Sequence, residues 1–198
     1  MRILIVTAHP LKTSLCGELA RHVIAELTRA GHEIVIEDLY AIGFNPVMTP
    51  DERRAYNGSS PLTGEDIAMP IQHLLAAEAI VLVFPVWWFG LPAILKGWLD
   101  RVWAPGIAFD HHEDASVLRP RLTQLRHLLV VAAFGSPWWL DRFIMGRPVM
   151  KLFKRAVLPS CTADCRFEMR SLHNTDHLKP AKLAAFKKRL STALNRLL

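Results

Sequence analysis

Continuous apolar runs alternate along the chain with stretches whose apolar residues recur at helical spacing. Runs of this kind are typical of strands buried on both faces of a sheet, and they predict five strands, at 2–8, 33–39, 79–84, 127–134 and 160–167. The intervening stretches predict helices, the fifth of them broken at Pro148, over 14–30, 50–56, 65–77, 92–103, 138–156 and 176–197.

Strands that alternate with helices predict an α/β fold, with a parallel sheet covered by helices on both faces. We expect one domain over 1–198, doubly wound, with five parallel strands in the order 2-1-3-4-5. In that order a ligand crevice opens at the carboxyl ends of the first and third strands. The loops that follow those strands, 9–13 and 85–89, are therefore predicted to form a binding site.

The composition narrows the possible classes of protein. The 198 residues are 51% hydrophobic, enough for one domain with a sizeable core.

The odd cysteine count, three, argues against a disulfide framework and for a reducing, cytoplasmic compartment. Cys161 and Cys165 fall in the predicted fifth strand, too far apart to pair within it. The longest uncharged run, 79–95, has 17 residues and is broken by Pro and Gly, so we expect no membrane-spanning segment.

The net charge of +6 is concentrated at one end of the chain. Residues 177–198 hold six of the 24 Lys and Arg residues and no acid, while the rest of the chain is balanced. This basic last helix has two interpretations, a solvated surface or attraction of a phosphate-bearing cofactor. Since no nucleic-acid recognition motif accompanies the charge, we expect no nucleic-acid partner.

The first loop, T-A-H-P-L-K-T-S-L, leads directly into a helix. Backbone N–H groups at the helix start and the hydroxyls of Thr13 and Ser14 can face one anion, which predicts a phosphate site. Thr and Ser are also ordinary helix caps, so a capping role is the alternative. The glycine patterns of P-loop enzymes and Rossmann dehydrogenases are absent from the sequence, as is the G-x-S-x-G motif of serine hydrolases.

The second loop places Trp87, Trp88 and Phe89 between an apolar strand and the Gly90 and Pro92 that open the next helix. Pro and Gly impose irregular backbone here, and bulky rings on such a loop favour a flat pocket or an interface over burial in the core. A polar run at 110–114 contains two histidines. Neighbouring residues on a loop rarely converge on one ion, so we expect an exposed loop and no metal site.

The segment 85–103 closely resembles the pattern P-x-x-W-F-G-x-P-A-I-L-K-G-W of the NAD(P)H:quinone reductase family, whose fold is flavodoxin-like. The first loop is also similar to that family's A-H-(P/S)-x-x-T-S-(F/L) segment, position for position. The resemblance is detailed over 3–48 and 79–109 and weaker beyond. It implies residues that bind a flavin: His9, Thr13, Ser14, Leu15, Pro85, Val86, Trp87, Trp88, Phe89 and Gly135.

Within that set, the resemblance implies that the first loop holds the flavin phosphates and that the backbone of 85–89 borders the isoalloxazine ring. Gly135 is what remains of the family's T-T-G-G loop, with an ordinary turn glycine as the alternative. Trp88 and Phe89, together with Phe109, are implied to line the substrate pocket. Some family members place a Tyr and a His after the T-T-G-G loop, whereas 137–155 contain neither. The resemblance therefore assigns no catalytic side chain.

The function implied by the resemblance is hydride transfer from NADPH or NADH, through bound flavin, to a quinone or similar flat acceptor. The two substrates would use one pocket in turn, which gives ping-pong kinetics. A regulatory flavoprotein subunit of a membrane transporter is one alternative. A single-electron carrier of the flavodoxin type is another alternative. The net positive charge of this chain argues against that alternative.

FAD is favoured over FMN, because Lys179, Leu183 and the F-K-K-R-L run at 186–190 resemble the family's helix beside the adenine end of FAD. A homodimer is also expected. One loop and the helix after it carry three large apolar side chains, Trp87, Trp98 and Trp103. Exposed apolar patches mark interfaces, and two-fold dimers are the commonest closed assembly. Phe109 would then reach the partner's pocket.

Overall fold

The computed structural model describes residues 1–56, 64–111 and 118–197. Five parallel strands form its sheet, bounded as follows: β1 Arg2–Thr7, β2 Glu33–Asp38, β3 Ala79–Pro85, β6 His127–Ala133 and β7 Arg166–Leu172. Their order is β2-β1-β3-β6-β7. It differs from the predicted numbering because an unpredicted antiparallel hairpin, β4 Phe109–His111 with β5 Leu118–Pro120, lies between the third and fourth strands of the sheet.

The α-helices are, in chain order, α1 Leu15–Arg29, α2 Pro50–Ala55, α3 Glu65–Ala76, α4 Ala93–Val102, α5 Pro148–Lys151, α6 Leu158–Cys161 and α7 Pro180–Leu197. Alternate residues of the strands point to opposite faces, so the sheet has a core on each side. On one face α1 and α7 pack over Ile3, Val81 and Leu129. On the other, α3, α4 and the 148–161 segment pack over neighbouring strand residues. The predicted helices on both faces are confirmed.

The predicted fifth strand at 160–167 is wrong in position. The helical segment 148–161 runs through α5, a π-helical stretch Leu152–Val157 and α6, so Cys161 ends a helix. The strand begins only at Arg166. As the sheet's edge it is half buried and alternates polar with apolar residues, a weaker pattern than the continuous runs of β3 and β6. Cys165 accordingly precedes β7 instead of lying within a strand.

A buried ion network fixes α4 against the long connection that follows β2. Arg101 is fully buried, and its guanidinium donates to both carboxylate oxygens of Glu52, at 2.6 to 3.1 Å, and to Asp66 at 2.7 and 3.0 Å. Glu52 also accepts from the backbone N–H of Thr49 at 2.7 Å, as part of a capping box on α2. Every charge in the network is therefore paired, which burial requires.

The same helix approaches the connection closely at Gly97. A Cβ added there would lie 2.3 Å from the carbonyl oxygen of Pro46, so only glycine fits without moving backbone. At the next residue, the indole N–H of buried Trp98 donates to Glu37 at 2.9 Å. These contacts anchor α4, and α4 in turn fixes the end of the loop at 86–92.

Candidate functional site

Three loops converge at the carboxyl edge of the sheet, as the doubly wound order predicts. They follow the adjacent strands β1, β3 and β6. Backbone hydrogen bonds continue past the strand ends, from Ala8 N–H to Val83 O at 3.1 Å and from Val86 N–H to Ala133 O at 2.8 Å. The predicted segments 9–15 and 85–89 and the predicted Gly135 are thereby brought to one edge.

The first loop ends at the N-terminus of α1. Ser14 is the N-cap, and its hydroxyl accepts from the N–H of Gly17 at 3.1 Å. Leu15 begins the helix, and the N–H groups of its first turn have no carbonyl within the helix to bond. Thr13 is exposed beside them. With the dipole of a 15-residue helix behind it, this end of α1 can hold an anion.

Gly17 shows how tightly this loop folds onto the helix. A Cβ at residue 17 would lie 2.4 Å from the carbonyl oxygen of Lys12. That carbonyl also accepts from the guanidinium of Arg21 at 3.1 Å, and the N–H of Leu11 donates to the His9 ring at 3.0 Å. The loop is therefore held in a single shape by its own hydrogen bonds.

The second loop contains a two-residue reversal at its aromatic positions. The N–H of Gly90 donates to the carbonyl of Trp87 at 2.9 Å, and the residues between them, Trp88 and Phe89, have φ of 52° and 57°. Left-handed φ at two consecutive residues is the pattern of a type I′ turn, in which Asn and Gly are preferred. Bulky aromatics in this region are outliers, and such strain concentrates at functional sites.

The turn presents its rings to solvent and joins the first loop. Trp88 is 100% exposed, and Trp87 is also exposed. The ring centroid of Trp87 lies 6.3 Å from that of His9, at an interplanar angle of 58°. Pro85 is buried at the end of β3, while Val86 and Phe89 are half buried. Together these residues form an apolar wall next to the helix N-terminus.

The third loop begins at Phe134 and continues through exposed Gly135. Gly135 has no left-handed φ, so it is not an obligatory turn glycine. A Cβ at this position would instead come within 3.0 Å of the Asp176 carboxylate, in the segment after β7. The N–H groups of Asn174 and Thr175 donate to Ser136 and Phe134, at 3.1 Å each, so the end of β7 packs beside this loop.

Two aromatic predictions for this region need correction. Phe109 is only 8% exposed and begins β4, so it packs in the core of its own chain instead of projecting from a loop. It lines a cavity of about 230 Å³ against α4, together with Trp103. Trp98 and Trp103 are 0% and 4% exposed. They lie on the face of α4 that packs on the sheet, so they add nothing to an exposed surface.

Residues 137–155 contain no histidine, but the fold brings His173 to this segment from elsewhere in the chain. The ring of His173, just after β7, stacks on Phe134 with centroids 4.5 Å apart. Its Nε2 lies 3.5 Å from Asp141 Oδ2. Burial holds the pKa of His173 below its usual value against the opposing effect of Asp141, with Lys182 and Arg147 lowering it further. Only the pairing of β6 with β7 reveals this proximity, because 39 residues separate the two rings in the chain.

Two other groups of side chains, the candidate metal ligands and the cysteines, can be located in the structure. Within the described ranges no three His, Cys, Asp or Glu side chains are placed to hold a metal ion, and residues 112–117 of the polar loop lie outside those ranges. Burial raises the pKa of Cys16 and Cys161 to about 12, so neither is a thiolate at neutral pH. No helix in the described segments has the length and hydropathy needed to cross a bilayer.

The geometry suits one elongated, partly aromatic ligand with an anionic group. Exposed rings provide an apolar wall on the second loop, and backbone N–H groups at the start of α1 provide an anion site beside it. The third loop borders the second, because β6 pairs with β3 and Val86 N–H donates to Ala133 O. A flavin has this combination of a flat ring system and a phosphate, and the residues present therefore fit that cofactor.

Two curated relatives are named as NAD(P)H-dependent oxidoreductases. An uncharacterized NAD(P)H oxidoreductase of Haemophilus influenzae is 35% identical over 135 residues, which cover 67% of this chain and 65% of that protein. NAD(P)H dehydrogenase [quinone] 1 of Rattus norvegicus is 34% identical over 125 residues, covering 56% and 46%. The chain thus spans about half to two thirds of the length of the curated relatives it matches.

Solved structures agree on the fold across the whole chain. The NAD(P)H:quinone oxidoreductase from Methanothermobacter marburgensis superposes with a TM-score of 0.86 at 24% identity, covering 100% of this chain and 96% of that one. An FMN-dependent NADH-azoreductase from Bacillus anthracis, in complex with FMN, gives 0.75 at 21% identity, covering 99% and 98%. The family model for the flavodoxin-like fold matches residues 1–190, and the chain therefore belongs to that family.

Proposed function

We propose that this protein is a flavin-dependent NAD(P)H oxidoreductase, which transfers hydride from NADPH or NADH to a quinone or similar flat acceptor. The observation on which the proposal depends most is the strained aromatic turn at 87–90, fully exposed at Trp88 and adjacent to the anion-binding end of α1. The names of the relatives in Haemophilus influenzae and Rattus norvegicus support the same reaction class.

In this proposal each loop has its own task. The N–H groups at the start of α1, with the hydroxyls of Thr13 and Ser14, hold the flavin phosphate. The backbone of 85–89 borders the ring system. Gly135 lies at the opposite edge, where a larger side chain would meet Asp176. The remaining ring contacts come from His9, Leu15, Val86 and Trp87.

When bound, the flavin supplies the redox chemistry by accepting hydride from the nicotinamide and passing it to the acceptor. The chain's own contribution is to orient the rings and to exclude water. Trp88 and Phe89 form the wall against which flat substrates stack. Because donor and acceptor use the same wall, they bind in turn, and we expect ping-pong kinetics. No side chain of the chain needs to act as an acid, base or nucleophile.

Of the two flavins we propose FAD, with FMN as the alternative. The basic helix α7 packs on α1, where His22 Nε2 lies 3.0 Å from the Ser191 hydroxyl and Lys187 contacts Glu18 at 2.5 Å. The N-terminal half of α7 therefore lies beside the phosphate end of the site. Lys179, just before α7, and Leu183 in its first turn are the residues that we expect beside the adenine. The azoreductase named above contains FMN, and at its level of identity it supports the fold alone.

The proposal also includes a homodimer, with a different surface from the one predicted around Trp98. Five apolar side chains between β6 and α5 are exposed: Trp138, Trp139, Phe143, Ile144 and Met145. The rings of Trp138 and Phe143 contact each other edge to face, with centroids 5.8 Å apart. We refer to these residues as the 138–145 patch. An exposed apolar group of this size marks an interface.

The decisive experiment is the absorption spectrum of the purified protein, followed by flavin titration and mass analysis of the released cofactor. The wild type should bind flavin at micromolar concentration. Ser14→Glu should weaken binding, because it sets a carboxylate against the phosphate at the helix N-terminus. Thr28→Glu, an exposed change at the other end of α1, is the charge-matched control. A wild type without flavin would refute the proposal, and released FMN would refute the choice of FAD alone.

A further inference from the structure

A second cavity opens at the outer edge of the sheet, beyond β7. It encloses about 250 Å³ between the carboxyl half of β7, α7 and the segment 138–147. It is distinct from the crevice at β1 and β3 but adjoins the third loop, because Trp138 lines it and His173 stacks on Phe134. Six of its lining residues have polar or charged side chains that suit an anion: Arg142, Arg147, Arg170, Ser171, His173 and Arg189.

The charge of this cavity is positive even after its carboxylates are counted. Four guanidinium groups line it. Against them stand Asp141, buried and 3.5 Å from the His173 ring, and Glu168, which pairs with Arg170. The ammonium of Lys182 adds to the positive side, since it donates to the backbone carbonyl of His173. Arginine forks of this kind match the oxygens of phosphate groups.

Two buried polar atoms of the lining have unmet hydrogen-bonding capacity. Arg170 Nε and Ser171 Oγ are shielded from solvent without a hydrogen-bond partner among the residues that the structure describes. His173 Nε2 is also shielded, and Asp141 Oδ2 lies 3.5 Å from it, at the limit of a hydrogen bond. Buried polar groups are nearly always paired, so two groups without partners in one cavity require an explanation. A bound anion would accept a hydrogen bond from the Ser171 hydroxyl, while the adjacent Arg170 side chain points to the opposite face of β7.

The backbone at Arg147 provides an independent indication that its side chain matters. Arg147 has φ of 58°, and its N–H donates to the carbonyl of Asp141 at 2.8 Å, which closes the turn 141–147. A glycine would adopt this conformation without strain. The benefit of arginine at this position therefore lies in its guanidinium, which the turn holds at the cavity.

We propose that this cavity is a binding site for a phosphate monoester. Under the function proposed above, on which this assignment rests, the ligand is the 2′-phosphate of NADPH. A dinucleotide whose nicotinamide lies against the aromatic turn can extend past the third loop, on the side where the cavity opens. NADH lacks this phosphate, so the cavity would favour NADPH over NADH.

The first test measures binding directly, without reference to catalysis. Isothermal calorimetry with 2′-AMP and with adenosine is carried out on the wild type, Arg147→Gly and Arg155→Gln. The wild type should bind 2′-AMP and not adenosine. Arg147→Gly should weaken 2′-AMP binding roughly tenfold or more, the usual effect of losing a charge-assisted hydrogen bond, while its thermal midpoint stays at or above that of the wild type.

Arg155→Gln is the charge-matched control, since Arg155 is exposed and does not line the cavity. It should leave 2′-AMP binding unchanged. Absence of 2′-AMP binding by the wild type would overturn the phosphate site. An equal loss of 2′-AMP affinity in Arg147→Gly and Arg155→Gln would overturn it too. Because this arm needs no flavin, it remains decisive even if the proposed reductase activity proves absent.

The second test identifies the source of the phosphate. Steady-state kinetics of Arg147→Gly should show KM for NADPH raised roughly tenfold, with kcat and KM for NADH unchanged. If 2′-AMP binding is lost while the preference for NADPH over NADH stays as in the wild type, the NADPH assignment is overturned. The cavity is then a site for a free phosphate ester.

Discussion

Left-handed backbone at non-glycine residues of the described ranges occurs in the connections that follow three strands of the sheet. Within the described segments, the non-glycine residues with left-handed φ are Trp88, Phe89, Arg147 and Asn174. Trp88, Phe89 and Asn174 lie within five residues of the carboxyl end of β3 or β7, and Arg147 immediately precedes α5. Left-handed backbone costs a non-glycine residue about 1–2 kcal/mol. These positions therefore lower the stability of the fold while they hold their side chains in fixed orientations.

The side chains of the site were predictable only in part. The segment 85–89 identified the aromatic loop through its residue pattern, and the structure places Trp87 beside His9 as the crevice requires. The left-handed turn was not predictable, because Trp and Phe have no preference for it. His173 and Arg147 were missed for another reason. Their contacts depend on which strand ends become neighbours, and residue spacing carries no such information.

At the residue scale we predict that Trp88→Gly separates stability from function. Trp88 is 100% exposed, so its removal costs no packing, and glycine relieves the left-handed strain. The free energy of unfolding should therefore be unchanged or higher by about 1 kcal/mol. The KM for a quinone acceptor should rise, because the stacking wall is lost. Urea titration and steady-state kinetics measure the two effects.

Trp88→Asn is the control for this prediction, since Asn tolerates the same backbone but also lacks the ring. It should match the glycine variant in KM and approach it in stability. Loss of stability in both variants would show that the indole packs against something in the assembled protein. An unchanged KM would remove Trp88 from the substrate pocket.

At the scale of single elements, the residue pattern of α4 predicted the helix but not its tertiary contacts. Its start at Pro92 and its apolar spacing were sufficient to predict the helix. They did not reveal that the backbone of Pro46 packs directly against Gly97, or that Arg101 lies at the centre of an ion network. An arginine on a helix is normally exposed. Its burial here depends on Glu52 and Asp66, which are far away in the sequence.

At this scale we predict that Arg101→Met destabilises the fold by about 3–5 kcal/mol, the usual cost of leaving a buried carboxylate unpaired. Lys96→Met, on the exposed side of the same helix, should cost less than about 1 kcal/mol, because it breaks only the exposed pair with Asp100. Urea unfolding at neutral pH measures the free energy of unfolding in both variants. Equal effects in the two variants would contradict the role assigned to the network.

The pH dependence of stability supplies a second measurement of the same network. Burial alone would raise the pKa of Glu52, but hydrogen bonds from Arg101 and Thr49 lower it, and Arg101 also lowers the pKa of Asp66. Acids with a lowered folded-state pKa stabilise above their unfolded-state pKa, about 4. That stability is lost as pH falls toward the folded-state values. Arg101→Met should flatten this acid-side loss between about pH 5 and pH 3.

At the scale of the whole molecule, the sheet order places the site. Continuous apolar runs predicted β1, β3 and β6, the strands whose ends form the three loops. The hairpin β4–β5 was not predictable, since its strands have three residues each and lie in a segment with polar residues and prolines. β7 was misplaced because an edge strand needs fewer apolar residues. The central strands were therefore the reliable guide to the site.

Our last prediction concerns assembly. The wild type should behave in light scattering as twice the 22.4 kDa chain mass. Phe143→Lys combined with Ile144→Lys should yield monomers, because these side chains are 68% and 67% exposed in the 138–145 patch and a buried lysine pair would repel across a two-fold interface. Trp98→Arg would test folding instead, since Trp98 is buried within its own chain.

Met69→Lys is the matched control, because Met69 is 59% exposed on α3, away from the patch. It should leave the mass doubled. If the control dissociates and the Phe143 and Ile144 variant does not, the interface lies on the α3 side. A wild type that is monomeric and fully active at dilute concentration would contradict the dimer itself. The exposed rings of the patch would then require another partner, because solvent exposure of five large apolar side chains is costly for an isolated chain.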